Sequence, residues 1–142
     1  MRIFATLVIL VVSVSAFAAD TNPTRTCETN FVTEGSFFSG KSYKTWQEFS
    51  DVTYDAAFRK TAQAAASAGL GTVTPNKDAG IITASQSVTA GKGATAPLNI
   101  IVDDKAGGTI RVVATFNTGP GQAASTDSVK GALCKLVEAA GQ

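Results

Sequence analysis

Residues 109–118 alternate strictly: Ile110, Val112, Ala114 and Phe116 fall on one side of an extended chain, and Arg111, Val113, Thr115 and Asn117 on the other. Such a ribbon buries one face and leaves the other to water. It requires an antiparallel sheet with a layer packed on one side only. Just upstream, residues 97–103 are rich in apolar side chains (Leu98, Ile100, Ile101, Val102), and Asp104-Lys105-Ala106-Gly107-Gly108 is turn chemistry, so the two segments read as a hairpin.

Further strands precede this hairpin. In residues 80–88, Ile82, Ala84, Gln86 and Val88 alternate with Ile81, Thr83, Ser85 and Ser87. The inward set reads as Ile82, Ala84 and Val88, and a slip of one residue would reverse it. Residues 71–74 form a short strand ahead of a Pro75-Asn76-Lys77-Asp78 turn. Residues 42–49 read as the first strand, with Tyr43, Thr45, Gln47 and Phe49 on one face and Lys44, Trp46 and Glu48 on the other. Their alternation leaves open which face is buried. Residues 89–96 are a hairpin connection. Their Gly91-Lys92-Gly93-Ala94-Thr95 lacks the upstream glycine of a phosphate loop, and no helix follows it.

Two helices supply the covering layer. Residues 54–68 begin after Thr53, whose hydroxyl suits an N-cap, and Asp55 favours the positive end of the helix dipole. Gly69 can stop the helix in the left-handed conformation, with Leu70 folding back. Tyr54, Phe58, Ala62 and Ala65 share a face that is mostly alanine, which most simply permits close packing; the alternative is that Ala62 and Ala65 leave room for a cavity. A last helix starts at Ser125 or Thr126, carries the stripe Val129, Leu133, Leu136, Val137 and Ala140, and ends at Gly141. The expected fold is therefore α+β: an antiparallel sheet of about five strands with two helices on one face, in the order β-α-β-β-β-β-α.

The N-terminus has a different character. Residues 1–18 carry a basic start, an apolar run from Ile3 to Val14 and a small-residue Ala16-Phe17-Ala18 cleavage site, the pattern of a signal peptide cut before Ala19. The first cysteine is Cys27, preceded by Thr24-Arg25-Thr26, which is no lipidation signal. The expectation is a soluble periplasmic protein with no stable membrane anchor. Residues 19–41 read as an N-terminal arm whose Phe31-Val32 and Phe37-Phe38 pack back on the domain of residues 42–142. Cys27 and Cys134 are the only cysteines; in an exported chain they most simply form one structural disulfide, and they lie too far apart for a redox motif.

Composition narrows the chemistry. Losing Arg2 with the signal leaves acids and bases in balance, which argues against a nucleic-acid binder. There is no histidine, so the commonest general base and transition-metal ligand is missing. Asp103-Asp104 is the only adjacent acidic pair, and the residues after it offer no further calcium ligands in register. No serine sits in a nucleophile pattern. We expect no enzyme, no cofactor and no metal site. The expected contact surface is either the open sheet face (Arg111, Val113, Thr115, Asn117) or the aromatic arm (Phe37, Phe38, Tyr43, Trp46). The expected function is a binding or scaffold module of the cell envelope with an envelope protein as partner; the alternative is a carrier of a small apolar ligand in a cavity between the sheet and the first helix.

The run Val52-Thr53-Tyr54-Asp55-Ala56-Ala57-Phe58, then Gly69-Leu70-Gly71, then Lys77-Asp78-Ala79-Gly80-Ile81-Ile82-Thr83-Ala84 resembles the helix-grip or TBP-like arrangement of BamC-like domains of bacterial envelopes. The resemblance spans residues 42–140. It implies that fold and an envelope role, and it brings no catalytic residues.

Overall fold

The computed structural model describes residues 23–88 and 95–142. The expected signal peptide and the Gly91-Lys92-Gly93 connection lie outside the described residues. The elements run α1 (Pro23–Thr29), β1 (Val32–Ser36), β2 (Gly40–Phe49), α2 (Tyr54–Ser67), β3 (Thr74–Asn76), β4 (Ile81–Ser87), β5 (Thr95–Lys105), β6 (Thr109–Asn117) and α3 (Thr126–Glu138), closed by a 3₁₀ turn at Ala139–Gly141. All strands join one antiparallel sheet in the order β1-β2-β6-β5-β4-β3. After α2 the chain drops to the far edge at β3 and meanders back until β6 pairs with β2.

The α+β class with one antiparallel sheet is as expected, but among the described residues the element count is corrected to six strands and three helices. The sixth strand is β1, which doubles back on β2 with Ser36 opposite Gly40. Every residue of β1 is exposed, so no hydrophobic alternation announced it. The third helix is α1, within the expected arm. A helix of seven residues is too short to hold itself in water. It is held because Cys27, fully buried, is bonded to Cys134 of α3, and the Thr45 hydroxyl of β2 donates to the Cys27 carbonyl at 2.6 Å. Residues 23–41 are thus built into the sheet and helix layer of the domain.

Turns also shift. Asp103 and Asp104 lie within β5, which continues to pair until Lys105 meets Thr109. The reversal falls on Ala106-Gly107-Gly108, where both glycines have positive φ, 89° and 75°. Pro75 and Asn76 belong to β3, opposite Ile82 and Ile81.

The covered face carries Tyr43, Thr45 and Gln47 of β2, Ile110, Val112, Ala114 and Phe116 of β6, Leu98, Ile100 and Val102 of β5, and Ile82 and Ala84 of β4, all buried. The alternation read for residues 109–118 and the inward Ile82 and Ala84 match it. On α2, Thr53 caps as expected, accepting from the Ala56 amide at 3.2 Å. Phe58 is 5% exposed, and Ala57, Thr61 and Ala65 are buried with it. Tyr54 and Ala62 are only half-buried, so the packed face is turned toward Ala57 and Thr61. The reason is that α2 meets the C-terminal 3₁₀ turn and α3 as well as the sheet. The Tyr54 ring stacks on Phe58 at 6.1 Å, and its hydroxyl donates to the Lys77 carbonyl at 2.5 Å. The start of α2 is thereby tied to the β3–β4 turn. On α3, Ser125 is the cap, and Leu133, Leu136 and Val137 are buried.

The Cys27–Cys134 bond closes 107 positions, with Cα atoms 5.6 Å apart. In the chain-entropy model a loop of about 100 residues gives about 4.7 kcal/mol of stabilisation. Among the described residues, no helix is long and apolar enough to cross a membrane.

Candidate functional site: a groove between the helices and an open sheet face

Among the described residues, the covering layer does not close over the whole sheet. The C-terminal half of α2 and the outer flank of α3 present small side chains to each other, Ala64, Ser67 and Ala68 against Gly131 and Ala132. Bulky residues there would meet at the usual helix separation of about 8–10 Å. Small ones leave a groove of about 780 Å³. Its floor is Leu98 of β5 and Phe116 of β6, its α3 wall is Val129, Leu133 and Leu136, and Leu70 and Val88 close the other side. The rim is polar: Gln86, Ser87, Ser125, Ser128, Asp127 and Lys135. A concave apolar site of some hundreds of cubic ångströms with a few rim polar groups is what small-molecule sites look like.

The room expected around Ala62 and Ala65 is displaced by a helical step. Ala65 is buried, and Ala62 lines a separate open cleft of about 740 Å³ beside Phe58, Pro75 and Lys77. The groove residues Ala64, Ala68, Gly131 and Ala132 were missed. The alanine-rich composition of α2 signals Ala64 and Ala68, and nothing local marks Gly131 and Ala132 of α3.

Among the described residues, nothing packs over the other face of the sheet. Register sets Trp46 opposite Val113, Val113 opposite Ile101 and Ile101 opposite Ile81, an apolar row across four strands. Ile101 is 46% and Ile81 37% exposed. The flanking row holds Lys44, Thr115, Asn99 and Thr83, and Asn117 lies opposite Ser42. Arg111, Val113, Thr115 and Asn117 therefore share this face with Trp46. Arg111 is not a spare cation. Its guanidinium lies 4.5 Å over the Trp46 ring and bonds to Glu48 through Nη2 at 2.7 Å and Nε at 2.8 Å.

The expected aromatic arm is not one surface. Tyr43 is fully buried on the covered face, with its ring 6.1 Å from Phe116, and is corrected to a core residue. Trp46 points the other way, because adjacent strand positions alternate and it sits three residues on. Of the aromatic pairs expected to pack back on the domain, only Phe31 does so; Val32 is exposed on the edge strand, and Phe37 and Phe38 stand at the tip of the β1–β2 hairpin, 47% and 86% exposed.

One carboxylate is perturbed. Burial, and then the nearby Glu28 charge, push the Glu138 carboxyl above its ordinary range. Its Oε1 is buried without a hydrogen-bond partner among the described residues. A carboxylate oxygen of Glu138 lies within 4.8 Å of both cysteine sulfurs, but these are bonded to each other and offer no thiolate to a metal.

No protein-family model matches this chain, and no curated protein or solved structure matches it.

Proposed function

We propose that this chain is a non-enzymatic binding module of the cell envelope, exported to the periplasm, which holds a small apolar ligand in the groove between α2 and α3. The observation that carries the reading is the groove itself: apolar floor and walls, polar rim, and small residues on both helices where packing would otherwise close it. The disulfide is compatible with an oxidising compartment. Kinship with the BamC-like helix-grip domains belongs to the same proposal.

The test uses N-phenyl-1-naphthylamine, a neutral dye that brightens in apolar sites, with native mass spectrometry of protein purified from its host. We expect dye binding and a retained apolar mass. Ala132→Phe fills the groove from an exposed helix position, and we expect it to abolish dye binding with the circular dichroism spectrum unchanged. Absence of both dye binding and retained mass in the wild type defeats the reading.

A second reading rests on the Trp46–Val113–Ile101–Ile81 row: docking of an envelope protein on the open face. Ile101→Lys is expected to break that association while dye binding persists. Equal association by wild type and variant argues against it.

A further inference from the structure

The hairpin tip runs against ordinary turn chemistry. Hairpin loops favour Asn, Asp and Gly, yet Gly35-Ser36-Phe37-Phe38-Ser39-Gly40 sets two phenyl rings at the apex. They pack edge-to-face at 5.6 Å and remain largely in water. The tip is firmly held. Ser36 and Ser39 bond through their hydroxyls at 2.8 Å, and each hydroxyl also accepts from the other residue's amide at 3.2 Å. Gly40, at φ +92°, lies so close to the next loop that an added Cβ would sit 2.5 Å from the Thr118 carbonyl. The Gly121 amide donates to the Phe37 carbonyl at 2.9 Å. That loop continues into Ala123, Ala124 and Ser125, which line the groove. The hairpin that carries the exposed rings is thus braced by the loop that forms the groove's edge.

We propose that Phe37 and Phe38 are a lipid-surface contact, inserting into the outer apolar layer of a bilayer beside the groove. The choice of a lipid surface over a protein pocket rests on the groove reading, since an apolar ligand is drawn from and returned to lipid. The tip also has the shape for it: a convex pair of rings on a braced stalk, with the Ser36 and Ser39 hydroxyls bonded to each other and the Phe37 carbonyl to the Gly121 amide. The charges nearest along the hairpin are Lys41 and Glu34, one of each sign, and the whole chain has a net charge of +1. The contact is therefore hydrophobic and reversible, not polybasic. Two rings give marginal affinity rather than anchoring.

Co-sedimentation with phosphatidylethanolamine–phosphatidylglycerol vesicles tests this. We expect binding that changes little between low and high salt, and that falls by about 10- to 100-fold per lost ring in Phe37→Ser and Phe38→Ser. Phe38→Trp, read against the wild type, should gain a fluorescence component quenched by brominated lipid. Wild-type protein that does not sediment with vesicles overturns the proposal. So does vesicle binding that the two serine variants leave unchanged, which would assign the contact elsewhere. The naphthylamine assay on the same variants separates the two claims. Dye binding without vesicle binding removes the lipid contact and keeps the groove; vesicle binding without dye binding does the reverse.

Discussion

Phe58→Ala is the most direct probe of how α2 is held. The ring is 5% exposed and stacked on Tyr54. A buried phenylalanine contributes about 150–250 Å² of buried surface, of which alanine recovers a minor part. Taking about 120 Å² as lost at about 25 cal/mol per Å² gives about 3 kcal/mol. Cavity formation normally raises the cost of Phe→Ala toward about 5 kcal/mol. Here the ring borders the open cleft lined by Ala62, Pro75 and Lys77. Water and the Lys77 stem can enter from that side, so the value should stay near the lower end. Urea unfolding of the oxidised protein, followed by circular dichroism and Trp46 fluorescence, measures it. With a slope of about 1.5 kcal/mol/M, the midpoint should drop by about 2 M with the slope unchanged. A loss below about 1 kcal/mol would refute the claim that this ring fixes α2 to the sheet.

Reduction, or Cys27→Ala with Cys134→Ala, should cost about 4–5 kcal/mol in the same assay, with α1 released first; a loss under about 1 kcal/mol would discard the loop-entropy account. Glu138 has a folded-state pKa raised above its ordinary 4.5, so its contribution to stability is present in full below the unfolded-state value and is lost as pH rises through the folded one. Glu138→Gln should accordingly flatten the fall in thermal midpoint as pH rises above the carboxylate's ordinary value; an unchanged slope would count against burial as the cause. Gly40→Ala meets both a positive φ and the Thr118 carbonyl, and should destabilise by at least about 1–3 kcal/mol, while Gly107→Ala, with open space around it, should cost less; the two urea midpoints decide.

Local signals carried much of this fold. Thr53, Ser125 and the glycines at turns act through their own backbone neighbours, so a cap or reversal is legible without knowing the partner element. The alternation of Ile110 to Phe116 is likewise a property of one strand, and its covered face follows from polarity. The β1 strand was not legible, because an edge strand is held by backbone bonds that leave no trace in side-chain polarity. Nor was α1, whose seven residues depend on a bond to a cysteine at the other end of the chain.

The candidate site divides in the same way. The open face could be read as Arg111, Val113, Thr115 and Asn117 because strand period assigns a face by position alone. That Arg111 is engaged by Glu48 and Trp46 depended on register, which aligns β2 with β6 across intervening α2, β3, β4 and β5. Strand period set Tyr43 and Trp46 on opposite faces, and only the direction of the sheet's covered face decided which of them belongs to the core. The groove required two helices distant in sequence to bring alanine and glycine to the same place. By itself the sequence determined where the chain turns, caps and alternates, since those are short-range energies. Tertiary structure alone decided which faces stay unfilled, because an unfilled space belongs to the packing of several elements and to no single one of them.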